Sequence, residues 1–163
     1  MQAVATFRDA NIQGTVRFTQ SEPYAPVLID IDIRGLRPHH KHGFHVHEYG
    51  DMTDHCTSMC SHFNPYGEVH GGPTSKHRHV GDLGNLQTDR RGHARYQMTD
   101  PVIRLHGTKC NIVGRGLIIH ADEDDLGLGA NEASKKNGNA GDRIACAVIG
   151  WAQPMPHCGS KKK

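Results

Sequence analysis

From Val27 to Ile33 the chain reads Val-Leu-Ile-Asp-Ile-Asp-Ile, and Thr15 to Thr19 reads Thr-Val-Arg-Phe-Thr. Both follow the period of two that sets alternate side chains on opposite faces of a half-buried strand, and neither fits a helical period. Further strand candidates are Ala3–Arg8, Gly43–Glu48, Leu83–Thr88, Ala94–Thr99, Asn111–His120 and Arg143–Trp151, separated by Gly, Asn, Asp and Pro punctuation. Eight short strands predict an all-β sandwich or barrel. Only Asn131–Lys136 has the makings of a helical turn. Two segments, Tyr49–Gly81 and Ala121–Asp142, are too long and polar for ordinary strand connections, and loops of that length in one domain are usually functional or disordered.

The balance of 19 Lys+Arg against 17 Asp+Glu, a net charge of +2, makes a dedicated nucleic-acid binder a minor alternative. No apolar run approaches the roughly 18 residues of a membrane helix, so no membrane partner is expected. Met-Gln-Ala-Val-Ala-Thr-Phe-Arg lacks the charged and apolar regions of a secretory signal, and a cytoplasmic protein is expected. In a reducing compartment the default for the five cysteines (Cys56, Cys60, Cys110, Cys146, Cys158) is the free thiol.

Ten of the 14 histidines fall between His39 and His79. Imidazole is the commonest protein metal ligand, so the cluster raises a metal hypothesis against the plainer reading of a histidine-rich surface. His45 and His47, two residues apart on a predicted strand, project from one face about 7 Å apart and can share an ion. His120 ends the apolar run Leu117-Ile118-Ile119 and is a third candidate. His62, His70, His77, His79 and Asp82 surround the turn-forming Gly71-Gly72-Pro73; three imidazoles and a carboxylate would close a tetrahedral site of the kind that suits structural zinc. The histidine-only set suits copper as well as zinc, and spacing leaves that choice open. His55, His77, His93, His106 and His157 read as loop histidines, and His39, His40 and His42 as a solvated turn. Asp124 reads equally as a loop acid or as a carboxylate orienting ligand imidazoles.

Gly43-Phe44-His45-Val46-His47-Glu48-Tyr49-Gly50-Asp51 resembles the signature of the copper,zinc superoxide dismutases. So do His62-Phe63-Asn64-Pro65, His70-Gly71-Gly72-Pro73, His79-Val80-Gly81-Asp82-Leu83-Gly84-Asn85, Asp124-Asp125-Leu126-Gly127 and Gly138-Asn139-Ala140-Gly141 before Arg143. The resemblance covers about Ala3 to Gln153. It implies an eight-stranded antiparallel Greek-key β-barrel or sandwich with two long functional loops and a dismutase domain over residues 1–153; the extension over 154–163, ending in a run of lysines, is expected to be flexible. It further implies one copper per subunit on His45, His47, His62 and His120, and one zinc on His62, His70, His79 and Asp82, with His62 as a bridge. Asp124 would join His45 to His70, and Arg143 would position superoxide beside the copper. Cys56 and Cys146 would pair, and Glu132, Lys135 and Lys136 would steer the anion. A homodimer would meet through Tyr49, Gly50, Val113, Gly114, Ile149 and Trp151. No proline flanks Arg143 at 142 or 144, and by the resemblance this implies that a copper chaperone is an optional partner. Cys60-Ser61 stands where the family has Gly-Pro, and Asp142 where a small neutral residue is typical. The competing classes are a metal-binding module without catalysis and a zinc hydrolase.

Overall fold

The computed structural model describes residues 1–153; the extension over 154–163, with His157, Cys158 and the terminal lysines, lies outside them. Among the described residues the strands are β1 (Gln2–Arg8), β2 (Gln13–Thr19), β3 (Val27–Arg34), β4 (Lys41–His47), β5 (Asp82–Gln87), β6 (Ala94–Asp100), β7 (Gly116–His120) and β8 (Arg143–Trp151). They hydrogen-bond in the order β5-β4-β7-β8-β1-β2-β3-β6, with every pairing antiparallel. β3 pairs with β6 and β4 with β7, the crossovers of a Greek key. The outermost strands β5 and β6 approach each other, Gln87 N–H donating to Tyr96 Oη at 3.1 Å, so the sheet forms a nearly closed barrel.

The alternation read in β3 is the burial pattern: Val27, Ile29, Ile31 and Ile33 are fully buried and Asp30 and Asp32 face out. With Phe7, Phe18, Phe44, Leu86, Leu117, Ile119 and Ile149 they fill the barrel. A side chain such as Ile or Phe contributes about 1.5–3 kcal/mol when fully buried. β7 is buried at every position, because both of its faces are covered. Leu117 and Ile119 enter the barrel core, while outward-facing Ile118 lies under a second cluster with Cys56, Met59 and Cys146. That cluster seats the first long loop on the outside of the barrel, and the Cys56–Cys146 disulfide (Cα–Cα 5.7 Å) fastens it there.

Three expectations need correction. Asn111–Arg115 is turn rather than strand: the Asn111 carboxamide oxygen accepts from Val113 N–H at 2.9 Å, and Gly114 has φ +85°, which ends extended pairing. Ile149 is 0% exposed inside the core, so period two turns Val148, not Ile149, outward, and Ile149 leaves the proposed contact surface. His42 is buried rather than solvated. The helical turn at Asn131–Lys136 is α1 (Glu132–Asn137), capped by Asn131, whose side chain accepts from Ser134 N–H, and ended by left-handed Gly138. No helix among the described residues is long and apolar enough to cross a membrane.

Candidate metal centre

Period two on β4 sends Phe44 and Val46 into the core and His45 and His47 to the outer face. Antiparallel pairing with β7 sets His45 opposite Ile118 and His47 opposite Gly116, which brings His120, at the far end of β7, onto the same patch. His62 reaches it from the first loop through an isolated bridge with His47. Ring centroids of His45 lie 4.0 Å from His62 and 4.9 Å from His120. Each of the four offers one nitrogen, and these nitrogens lie within 4.8 Å of one another.

The orphaned atoms show what the group is shaped for. His45 Nδ1, His47 Nε2, His62 Nε2 and His120 Nε2 are all buried without a hydrogen-bond partner, although buried polar atoms are ordinarily satisfied. The other nitrogen of each ring is engaged: His45 Nε2–H donates to Asp124 (2.7 Å), His47 Nδ1–H to the Cys60 carbonyl (2.8 Å), His120 Nδ1–H to the Gly141 carbonyl (3.0 Å), and His62 Nδ1 meets Asp82 (2.9 Å). Fixing one nitrogen presents the other as a lone-pair donor. Four such donors around one point fit copper, for which imidazole is a suitable ligand.

On the other side of His62, the nitrogens Nδ1 of His62, His70 and His79 stand 2.9, 3.0 and 3.1 Å from the single oxygen Asp82 Oδ1. Three imidazoles crowding one carboxylate oxygen, all buried, form the three-nitrogen, one-oxygen set of a closed tetrahedral zinc site. His62 belongs to both sets, one with each ring nitrogen. His77, the remaining candidate in this stretch, instead pairs with Glu68 on the surface at 2.9 Å.

Asp124 joins the two sets. It is 1% exposed, accepting from His45 through Oδ2 and from His70 Nε2–H through Oδ1 at 2.8 Å. Its backbone is clamped by the Asn85 carboxamide in both directions, at 2.9 and 2.7 Å. At Gly138 a Cβ would fall 1.9 Å from Asp124 Oδ1 and 2.5 Å from His70 Nε2, so only glycine fits beside this bridge. Arg78, which carried no sequence signal, pins the zinc-side loop: it is 7% exposed, donating to Asp100 at 2.8 Å and to the Pro73, His79 and Val80 carbonyls. His42 Nδ1–H donates to the His120 carbonyl at 2.8 Å; its place two residues before Phe44 is the signal that sets it on the inner face.

Burial, with repulsion from His62, holds His45 and His47 well below the ordinary imidazole value, and burial lowers His120 to about 4. Burial opposes charge on His70 and Asp82 too, but hydrogen bonds to Asp124 and Asp82 carry His70 up to about 9, and those from His62, His70 and His79 hold Asp82 well below the carboxylate range. The metal-free protein is therefore expected to lose thermal stability as pH falls from about 6.5 to about 4. In that window the unfolded chain takes up protons that folded His45, His47 and His120 refuse. His70 has the opposite sign, but its contribution is complete below 6.5 and stays constant there. A melting temperature flat or rising across this window would contradict the assignment.

A cavity of about 300 Å³ opens onto the four-histidine set, lined by His47, Ser61, His62, His120, Lys136, Asn137, Ala140, Gly141 and Arg143. Arg143 pairs in register with His120 and is held by the Cys56 and Cys60 carbonyls at 2.6 and 2.5 Å. Lys136, among the lining residues, stands 3.8 Å from Glu132, whereas the Lys135 amine is turned to the Gly127 carbonyl. Neither Glu132 nor Lys135 lines the cavity.

Against known proteins, the sequence profile of the family Copper/zinc superoxide dismutase (SODC) matches residues 12–149. The chain is 60% identical over 142 residues to a protein of Paramecium bursaria Chlorella virus 1 named as a Cu-Zn superoxide dismutase, covering 87% of this chain and 74% of that one. It is 50% identical over 154 residues to a protein of the same name from Neurospora crassa, covering 94% and 99%. Among solved structures it is similar to the clock protein EA4, with TM-score 0.88, 42% identity, and coverage of 93% of this chain and 94% of that one. With both donor sets complete and the profile spanning nearly the whole barrel, the chain belongs to the copper/zinc superoxide dismutase family.

Proposed function

We propose that this protein disproportionates superoxide to oxygen and hydrogen peroxide, with copper held by His45, His47, His62 and His120 and zinc by His62, His70, His79 and Asp82. The observation that carries the reading is the set of four buried, unpartnered imidazole nitrogens facing one point beside a cationic cavity. Copper held by the four histidines would supply the one-electron redox chemistry of the reaction, and redox-silent zinc would close the second set. The protein supplies the rest. Arg143, permanently charged and anchored by two carbonyls, attracts and orients the anion in the cavity that it lines. His62 presents Nε2 to the cavity and is the group placed to hold the proton that leaves with peroxide. Asp124 keeps His45 and His70 in the tautomers that donation requires.

The non-catalytic alternative would leave part of the copper set or Arg143 missing, and both are present. A hydrolase needs an open zinc position, whereas the carboxylate-bearing set is closed by four protein donors.

Arg143→Ala is expected to lower the second-order rate about tenfold or more with both metals retained, since steering contributes 10–10³ to such on-rates. The parent rate should fall as ionic strength rises, and the variant's should fall less. Rapid-mixing kinetics across a salt series tests this; equal rates, or a flat salt profile in the parent, would remove Arg143 from the reading.

The protein is further read as a homodimer meeting through the patch of Tyr49, Gly50, Val113, Gly114 and Trp151. Tyr49 and Trp151 are 56% and 55% exposed, and the patch is continuous, since a Cβ on Gly50 would lie 2.2 Å from the Gly114 carbonyl oxygen. Chaperone-assisted copper delivery stays an optional step in this reading, resting on the residues that flank Arg143.

A further inference from the structure

Outside the double metal centre, one other group of donor atoms converges among the described residues. His55, Cys56 and Cys146 each offer a ligand atom, all within 4.8 Å of one another. His55 Nε2 lies 4.0 Å from Cys56 Sγ and donates to Asp9 Oδ1 at 3.0 Å. In the oxidised protein the two sulfurs are bonded to each other and have no capacity for a metal. The function proposed above uses neither His55 nor Asp9.

We propose that the disulfide-reduced protein binds one zinc ion through the thiolates of Cys56 and Cys146, His55 Nε2 and the Asp9 carboxylate, so that zinc and the disulfide compete for the same two sulfur atoms. Zinc takes cysteine sulfur, histidine nitrogen and aspartate oxygen alike, and four such donors complete its tetrahedron; Asp9 joins the three converging atoms through its contact with His55. With metal–sulfur bonds of about 2.3 Å and metal–nitrogen or metal–oxygen bonds of about 2.0–2.1 Å, neighbouring ligands in a tetrahedron stand about 3.3–3.8 Å apart. The two distances present in the oxidised protein straddle that range. The remaining sulfur–sulfur edge of about 3.8 Å is one that only the reduced pair can adopt.

The surroundings keep the donors in place once the sulfurs separate. Cys146 is held on β8 by its pairing with Ile118 of β7, and the loop around Cys56 stays seated through fully buried Met59 and through the Arg143 bond to the Cys56 carbonyl. A surface cavity of about 490 Å³, lined by His55, Cys56, Thr57, Gly141, Asp142 and Arg143, gives an ion access from solvent. Charge balances as well: two thiolates and a carboxylate around a divalent ion leave one negative charge beside the Arg143 guanidinium.

The chemistry closes on itself. A dithiol reductant gives two electrons and two protons, becomes a disulfide itself, and leaves Cys56 and Cys146 as thiols. Zinc then displaces both thiol protons, and the His55 proton moves from Nε2 to Nδ1, so the ion occupies the place of the hydrogen shared with Asp9. While zinc is bound the thiols cannot recombine.

The test uses copper- and zinc-loaded protein with Cys60, Cys110 and Cys158 changed to serine, its disulfide reduced by a phosphine that is then removed. Cadmium is titrated as the probe, and zinc is used to displace it. The expected result is a thiolate-to-cadmium charge-transfer absorption that saturates at one ion per chain, is reversed by zinc, and is absent from the oxidised protein. Its affinity should fall at least about tenfold in both His55→Ala and His55→Gly; the glycine variant covers the left-handed backbone at this position, φ +47°. Zinc should also slow reoxidation of the parent but not of either variant. No absorption in the reduced protein, the same absorption in the oxidised protein, or unchanged affinity in both His55 variants would overturn the proposal.

Discussion

Alanine at His120 is expected to cut superoxide consumption by more than about a hundredfold while leaving one zinc per chain. Removing even an outer partner of a metal ligand costs about 10–100-fold in affinity or activity, and a direct ligand costs more. His120 is the right residue for this separation because its free nitrogen faces only the four-histidine set, whereas His62 serves both. The local fold should survive, since the bond from His42 to residue 120 uses the backbone carbonyl and Leu117 and Ile119 remain in the core. Rapid-mixing kinetics alongside metal analysis decides the matter. A rate within about threefold of the parent, or equal loss of both metals, would mean that the two sets are not the separate centres described here.

Changing both Cys56 and Cys146 to serine is expected to destabilise the protein by about 4–5 kcal/mol, because the bond closes a loop with a sequence separation of 90. For a chain of this length that corresponds to a melting temperature about 10–20 °C lower. The double substitution leaves no unpaired thiol at the site. Activity should fall as well, because Arg143 is held by the carbonyls of Cys56 and Cys60 in the loop the bond fastens. Calorimetry of the metal-loaded pair measures the shift, and a change under about 3 °C would show that the buried Met59 contact alone holds the loop.

How far the sequence could be read depended on whether one local pattern carried the information. Strand β3 was legible because it is covered on one face only, so its alternation maps directly onto burial. His45 and His47 were legible for the same reason, as the polar half of an alternation whose apolar half is Phe44 and Val46. The residues around His42 looked solvated because three neighbouring histidines masked the same period. Asn111–Arg115 looked strand-like until the side-chain bond of Asn111 and the left-handed Gly114 were taken into account. Ile149 and Val148 are adjacent apolar residues, and only the register of β8 tells which faces solvent. Arg78 and Asn85 lay beyond reach, since their roles come from partners 22 and 39 residues away in sequence. The pairing of Cys56 with Cys146 came from the family likeness; spacing among five cysteines carries no pairing information.

Four buried imidazole nitrogens are arranged to hold a copper that turns over superoxide. The decisive measurement is the superoxide-consumption rate of the purified protein against its copper and zinc content per chain, before and after copper is removed and restored. Rapid consumption proportional to copper is expected, lost on its removal and recovered on its return, with zinc constant at one per chain. Full occupancy of both sites with no consumption above background would contradict that expectation and place the protein among metal-binding modules.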